Sequence, residues 1–311
     1  MRILFMGTPD IAATCLGALL DAGQEVVGAV TQADRPKGRG YTLTPPPVKV
    51  LASERGVPVY QPATLKDEAF LTLLSELDPE VIVVVAYGKI LPPAVLDYPR
   101  YGCINLHASL LPKYRGAAPI QRAIMDGERE TGITTMYMAE GLDTGDMILT
   151  ERIAIGPRDN FESIHDRMAE LGGALLLKTL RALADGTAER RAQDGDQATY
   201  AKKIEKEDCR LDFSRSAVAL DPYIRGLSPI PLAFCYHPNG KMIKILRAEP
   251  TEGCGAPGEV LAVSDRGEGG ITVACGEGAL IIRELVPEGK GRRSAADFVR
   301  GRGILKGDVL G

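Results

Sequence analysis

Two textures of apolar residues alternate through the first half of the chain. Ile3–Met6, Glu25–Val30 and Val81–Ala86 are short and rich in β-branched residues, which predicts strands. Ile11–Ala22 and Leu65–Leu77 instead space their apolar residues three and four apart, which predicts helices. Ile11–Ala22 runs into Gly23, a helix stop. Val81–Ala86 is apolar without a break, which suits a strand buried on both faces. Val57–Tyr60, Ile104–His107, Ile133–Met138 and Met147–Ile155 add further strands. Such alternation predicts an α/β fold, a doubly wound and mostly parallel sheet with ligand sites at the C-terminal ends of its strands.

The texture then changes. Asn160–Leu183 predicts a long amphipathic helix that ends near Gly186, and 190–208 is polar enough to read as a linker. Beyond it, Ala233–Tyr236, Met242–Ala248, Gly258–Val263, Gly270–Ala274 and Ala279–Leu285 are strand-like runs parted by Gly, Pro and Asp turns. That rhythm predicts a second, smaller all-β domain, an OB-like barrel. The expected organisation is a catalytic domain over 1–189, the linker 190–208 and the barrel over 209–311. A length of 311 residues agrees with two domains.

Composition narrows the function classes. With 45% hydrophobic and 25% charged residues, the chain is not disordered, collagenous or a coiled coil. Its longest unbroken apolar run is Val81–Tyr87, far short of the roughly twenty residues that cross a bilayer, so no membrane partner is expected. The start reaches Asp10 too soon for a signal peptide, which places the protein in the cytoplasm. The 6 cysteines form no CxxC and no Cys/His cluster, and the 3 histidines are far apart in sequence, so reduced thiols and no metal are expected. The net charge of −4 is not that of a general nucleic-acid binder. Basic residues do collect locally at Lys290, Arg292, Arg293, Arg300, Arg302 and Lys306, a patch that is either a solvated tail or part of a polyanion track.

Candidate chemistry concentrates in two segments. The turn Gly7-Thr8-Pro9-Asp10 is neither GxGxxG nor a P-loop, and reads as a tight strand-to-helix connection. In Gly102–Gly116, Asn105 and His107 are two apart on a predicted strand, so they share a face at its C-terminal end. Alone, this pair reads as well as a structural histidine at a strand end. In Gly132–Asp146, a predicted strand runs into a glycine-flanked turn carrying Asp143, which could be no more than a turn former. Taken together, Asn, His and Asp are the parts needed to move an acyl group onto an amine. Asn and His stabilise a developing oxyanion, and the carboxylate orients the imidazole and helps take the ammonium proton.

Asn105-Leu-His107, the following Ser109-Leu-Leu-Pro112, and Gly132 with Leu142-Asp143-Thr-Gly145 resemble the folate-dependent formyltransferases. The resemblance implies that Asn105, His107 and Asp143 are the catalytic trio, and that Ser109, Leu110, Leu111 and Pro112 line the site of the 10-formyltetrahydrofolate co-substrate. The start Met6–Ala12 and the stretch Asp34–Gly40 leading to Pro45–Lys49 resemble the members that act on methionine carried by initiator tRNA. In them this stretch touches the tRNA, which assigns Arg35, Lys37 and Arg39 to tRNA binding. Arg35–Lys49 holds four basic residues and no acid, which suits phosphate contact, although a plain solvated loop has the same composition. The join around Tyr200–Ser214 and the Pro229-Ile230-Pro231 segment are similar to the family as well. Ile230 stands where an aromatic residue is usual, so a stacking role there is not expected. The resemblance implies no metal and leaves a monomer as the expected state. A formyltransferase of small amines such as amino-sugar nucleotides, a folate-site hydrolase, or a tRNA-binding factor without catalysis are the other readings of the same residues.

Overall fold

The computed structural model describes residues 1–37 and 42–311, and for Lys37 its backbone. It divides into two compact units. One comprises Met1–Gly116, Glu130–Ala154 and His165–Ala201; the other comprises Ala117–Arg129, Ile155–Ile164 and Lys202–Gly311.

A seven-stranded sheet is the centre of the first unit. Its order is Met147–Ala154, Glu130–Tyr137, Cys103–His107, Val81–Val85, Ile3–Gly7, Val26–Val30, Val59–Tyr60. The last five strands are mutually parallel. Glu130–Tyr137 runs antiparallel to both of its neighbours, so the sheet is mixed but mostly parallel. Ile3–Gly7 and Val81–Val85 are buried at every residue, as their unbroken apolar sequence demands of inner strands. The helix Phe161–Ala184 approaches the helix Asp10–Asp21 closely: a Cβ on Gly173 would stand 2.4 Å from the Ala18 Cβ, so only glycine fits. The turn at Gly7-Thr8-Pro9-Asp10 is the strand-to-helix connection that its sequence suggests, with Pro9 as N-cap.

Several boundaries differ from the sequence reading. The strand expected over Val57–Tyr60 is only Val59–Tyr60. The helix expected from Leu65 starts at Glu68, because the Asp67 side chain caps it by accepting the Phe70 amide at 2.9 Å. Within the basic stretch, Arg35–Lys37 pairs antiparallel with Thr42–Thr44, Arg35 opposite Thr44. Part of the segment read as linker is paired too. Tyr200–Ala201 forms a short parallel ladder with Arg115–Gly116 inside the first unit.

In the second unit the strands Ala233–Tyr236, Met242–Thr251, Ala279–Pro287, Gly270–Ala274 and Val260–Ser264 lie side by side in that order, with every pairing antiparallel. The short Arg293–Ser294 strand pairs with Ala279–Pro287. The two outer strands are joined by the end of the chain. Gly311 exchanges hydrogen bonds with Tyr236 at 2.6 and 3.0 Å, while Leu310 donates to the Gly258 carbonyl and Val260 to the Asp308 carbonyl, each at 2.8 Å. These residues close the sheet into a barrel and cover edges that would otherwise be open. No pairing is predicted there from sequence, because four residues are too few to show a period. The barrel core gathers Leu220, Ile224, Phe234, Ile245, Val273, Leu280 and Leu285.

Candidate active site

Asn105 and His107 occupy alternate positions on the strand Cys103–His107, and His107 ends it. The intervening Leu106 points to the other face, toward Gly172. Other loops at the same edge of the sheet are tied together. Thr8 Oγ1 and Gln32 Nε2 both donate to the Tyr87 carbonyl, at 3.2 and 2.8 Å.

The turn after the strand fixes the His107 ring. Its Nε2 lies 2.9 Å from the Tyr114 carbonyl oxygen, which can only accept, so Nε2 carries a proton. Neutral imidazole then presents a lone pair at Nδ1. That atom faces Asp143 Oδ2 at 3.6 Å, with both side chains largely buried. The distance exceeds a hydrogen bond, and both atoms are acceptors. Asp143 Oδ2 is in turn held by the Gly116 amide, which donates at 2.8 Å. A hydrogen bond to a charged group contributes about 1.5–3 kcal/mol. The sequence leads one to expect that Asp143 orients His107. In the structure the Tyr114 carbonyl orients the ring, and Asp143 faces the free nitrogen.

Asn105 is half-buried, and its side-chain amide makes no hydrogen bond with another described residue. Its strand neighbours are Val84 on one side and Met136 on the other, and neither is hydrogen-bonded to its side chain. A polar group left uncommitted beside His107 is available to a substrate.

Ser109–Pro112 is built differently from expectation. The Ser109 hydroxyl donates to the Lys113 carbonyl at 2.6 Å, and the residue is fully buried. Thr134 Oγ1 donates to the Ser109 carbonyl at 2.7 Å. Leu111 is also buried, leaving Leu110 and Pro112 partly accessible.

The turn that carries Asp143 is clamped by residues the sequence reading passed over. Asp143 itself is left-handed at φ 51°. A Cβ on Gly145 would lie 1.8 Å from the Tyr137 carbonyl oxygen, so the Gly of Asp143-Thr-Gly145 is obligatory. Gln193 Nε2 donates to the carbonyls of Asp143 and Gly145, each at 2.8 Å. The Gln193 oxygen accepts from Arg115 Nε at 3.0 Å and Nη2 at 2.7 Å. Gln193 lies in the segment read as linker, fifty residues from Asp143. No local pattern could have linked them.

Of the basic residues assigned to tRNA, Arg35 is exposed and donates to the Gln32 side-chain oxygen. Lys37 contributes its backbone to the hairpin, and Arg39 lies outside the described residues. Lys49 is already engaged: its ammonium sits 2.9 Å from both Asp34 carboxylate oxygens and from Gln61 Oε1. Hydrogen bonds from Gln61 and Lys49 hold the Asp34 carboxyl below its usual range. A cavity of about 510 Å³ opens beside Cys103, Tyr137 and Arg190, at the start of the strand whose end carries His107, and none of the trio lines it. Among the described residues no group of three or more His, Cys, Asp or Glu is placed to hold a metal ion, and no helix is long and apolar enough to cross a membrane.

Comparison with known proteins finds relatives along the whole chain. The formyl transferase family profile matches residues 1–180, and the profile for the formyl transferase C-terminal domain matches residues 203–303. A methionyl-tRNA formyltransferase of Citrifermentans bemidjiense is 49% identical over 311 residues, covering 100% of this chain and 96% of its own. One from Pelotomaculum thermopropionicum is 50% identical over 314 residues, covering 100% and 99%. Among solved structures, a sugar 3N-formyl transferase, WlaRD, has a TM-score of 0.66 at 16% identity, covering 94% of this chain and 99% of that one. HypX from Aquifex aeolicus in complex with tetrahydrofolic acid has a TM-score of 0.66 at 20% identity, covering 96% and 47%. These two likenesses concern the fold.

Proposed function

The chain belongs to the formyl transferase family, among its methionyl-tRNA formyltransferases, and from that premise we propose that Asn105, His107 and Asp143 perform its reaction. The activity is transfer of a formyl group to the methionine amine of charged tRNA. In this reading the donor is 10-formyltetrahydrofolate and the acceptor is methionine on initiator tRNA.

Asn105 offers its uncommitted amide N–H to the oxygen on which charge develops as the amine adds to the formyl carbon. A donor aimed at such an oxyanion is worth about 3–4 kcal/mol. His107 and Asp143 present two acceptors, 3.6 Å apart, to the proton that the attacking nitrogen loses, and the proton passes from this pair to the donor nitrogen as its bond to the formyl carbon breaks and tetrahydrofolate leaves. The Tyr114 carbonyl keeps the imidazole proton on Nε2, so Nδ1 remains available as a base. The Gly116 amide keeps the carboxylate in place without neutralising it. Holding amine and formyl carbon together supplies a further large share of the rate.

Ser109–Pro112 enters as a wall of the donor site, through Leu110 and Pro112. The basic stretch that begins at Arg35 meets the tRNA backbone with Arg35, Lys37 and Arg39, because basic side chains attract phosphates. The reading extends to a cytoplasmic enzyme that works as a monomer; sedimentation equilibrium tests the oligomeric state. Domain limits of 1–189 and 209–311, with the join between them, remain part of this proposal.

The observation that carries the reading is the face-to-face placement of His107 Nδ1 and Asp143 beside an uncommitted Asn105. The test is formyl transfer from 10-formyltetrahydrofolate to methionine charged on initiator and on elongator tRNA in parallel. Formylation of the initiator form alone is the expected result. Consumption of the donor with small amines but with neither tRNA would overturn the tRNA assignment and leave the trio standing.

A further inference from the structure

Asp143 holds a left-handed backbone conformation uncommon outside glycine, φ 51°, in a turn with an exposed leucine before it. Such a turn needs outside support if its carboxylate is to stay in one place. Support converges from two directions. The side chain is held by the Gly116 amide. The backbone is held by Gln193, whose amide nitrogen has two protons and gives one to each of the Asp143 and Gly145 carbonyls.

Gln193 is itself fixed. Two N–H groups of Arg115 converge on its oxygen, and Arg115 is only 6% exposed. A guanidinium on the amide oxygen also draws electron density from the amide nitrogen, which strengthens both of its donations. The Arg115 backbone is anchored by its own amide to the Thr199 carbonyl at 2.8 Å. The dipeptide Arg115–Gly116 therefore reaches Asp143 twice, once directly and once through Gln193.

We propose that Gln193, gripped by Arg115, is a positioning residue for formyl transfer: it sets the Asp143 turn so that the carboxylate faces His107 Nδ1. The proposal rests on the catalytic reading of that pair. It requires the amide and not only its shape. A glutamate at 193 would still meet Arg115 but would turn a carboxylate toward two carbonyl oxygens, losing both donations.

The test is steady-state kinetics of Gln193→Glu, Gln193→Met and Asp143→Ala, and of each Gln193 variant combined with Asp143→Ala. Circular dichroism confirms folding of every variant. Both Gln193 variants are expected to lower kcat by about 10- to 100-fold, the scale of misplacing a catalytic group, with KM for both substrates within about twofold of wild type. On the Asp143→Ala background each is expected to cost less than about threefold more, since residues acting as a unit are not additive. Full turnover in both Gln193 variants, or equal losses with and without Asp143, would overturn the proposal. If Asp143→Ala itself keeps wild-type turnover, the catalytic reading fails first and the two failures are told apart. If one variant does not fold, the other decides.

Discussion

His107 turns Nδ1, not Nε2, toward Asp143, and 3.6 Å separates that nitrogen from the carboxylate oxygen. The Tyr114 carbonyl, 2.9 Å from Nε2, obliges that nitrogen to be the donor. A ring with its proton fixed on the far side is a base on the near side. Replacing either residue removes an acceptor from this pair.

His107→Ala and Asp143→Ala are each expected to cut kcat by roughly 10²–10⁴, the usual worth of such groups. Single-turnover formylation of charged tRNA, which separates chemistry from product release, is the measurement. Near-wild-type rates in both would remove the pair from the mechanism.

Asn105→Ala should lower turnover by about 10²–10³, the cost of one oxyanion donor. Because the Asn105 amide makes no hydrogen bond with another described residue, its loss should leave the melting temperature nearly unchanged. A large drop in melting temperature would assign Asn105 to the framework.

Arg35→Ala and Arg39→Ala should raise the tRNA KM more than they lower kcat, and should flatten its dependence on salt, because each removes a phosphate contact. Lys49→Met should leave the tRNA KM and its salt slope alone, since Lys49 is bound to Asp34 and Gln61. An Arg39→Ala enzyme whose KM is unchanged at several salt concentrations would take Arg39 off the tRNA path.

Asp34 gives a pH prediction. Gln61 and Lys49 stabilise its ionised form, so its folded pKa lies below the ordinary aspartate value of 3.8. The stabilisation is therefore present above that value and is lost as pH falls through the folded one. Carboxyl carbon NMR should show Asp34 titrating below 3.8 in the wild type, and at higher pH in Gln61→Leu and Lys49→Met. An unshifted midpoint in both variants would contradict the contacts.

Thiol reactivity tests the core. Burial pushes Cys15, Cys103 and Cys235 up to about 12 and Cys275 to about 11, and Cys209 is buried as well, leaving Cys254 exposed. A chromogenic disulfide should therefore titrate one thiol rapidly in the native protein, with the remainder released only on denaturation. Fast reaction of several thiols would contradict the packing of both units.

Removal of residues 308–311 should destabilise the barrel by about 2–4 kcal/mol, from the buried Leu310 and the lost edge hydrogen bonds. Denaturant unfolding of the chain ending at residue 307, compared with the intact chain, measures it. Little change would mean that the barrel does not depend on this closure.

The alternation of strand-like and helix-like runs was enough to read a mostly parallel α/β sheet followed by a β domain, because side-chain period reports which face each element buries. Asn105 and His107 were legible for the same reason: two residues apart on one strand must share a face. Asp143 is legible as the aspartate of a glycine-flanked turn, and the resemblance adds its catalytic role. The closing segment Asp308–Gly311 is not readable, nor is the pairing of Arg35–Lys37, because short pairings take their stability from partners and not from their own pattern. Most of all, the chain alone could not say which nitrogen of His107 is free, nor that Gln193 holds Asp143. Both depend on hydrogen bonds to backbone groups brought near only by folding. Period and propensity act between near neighbours along the chain, whereas proton placement and the clamp on a catalytic turn are set by distances in space.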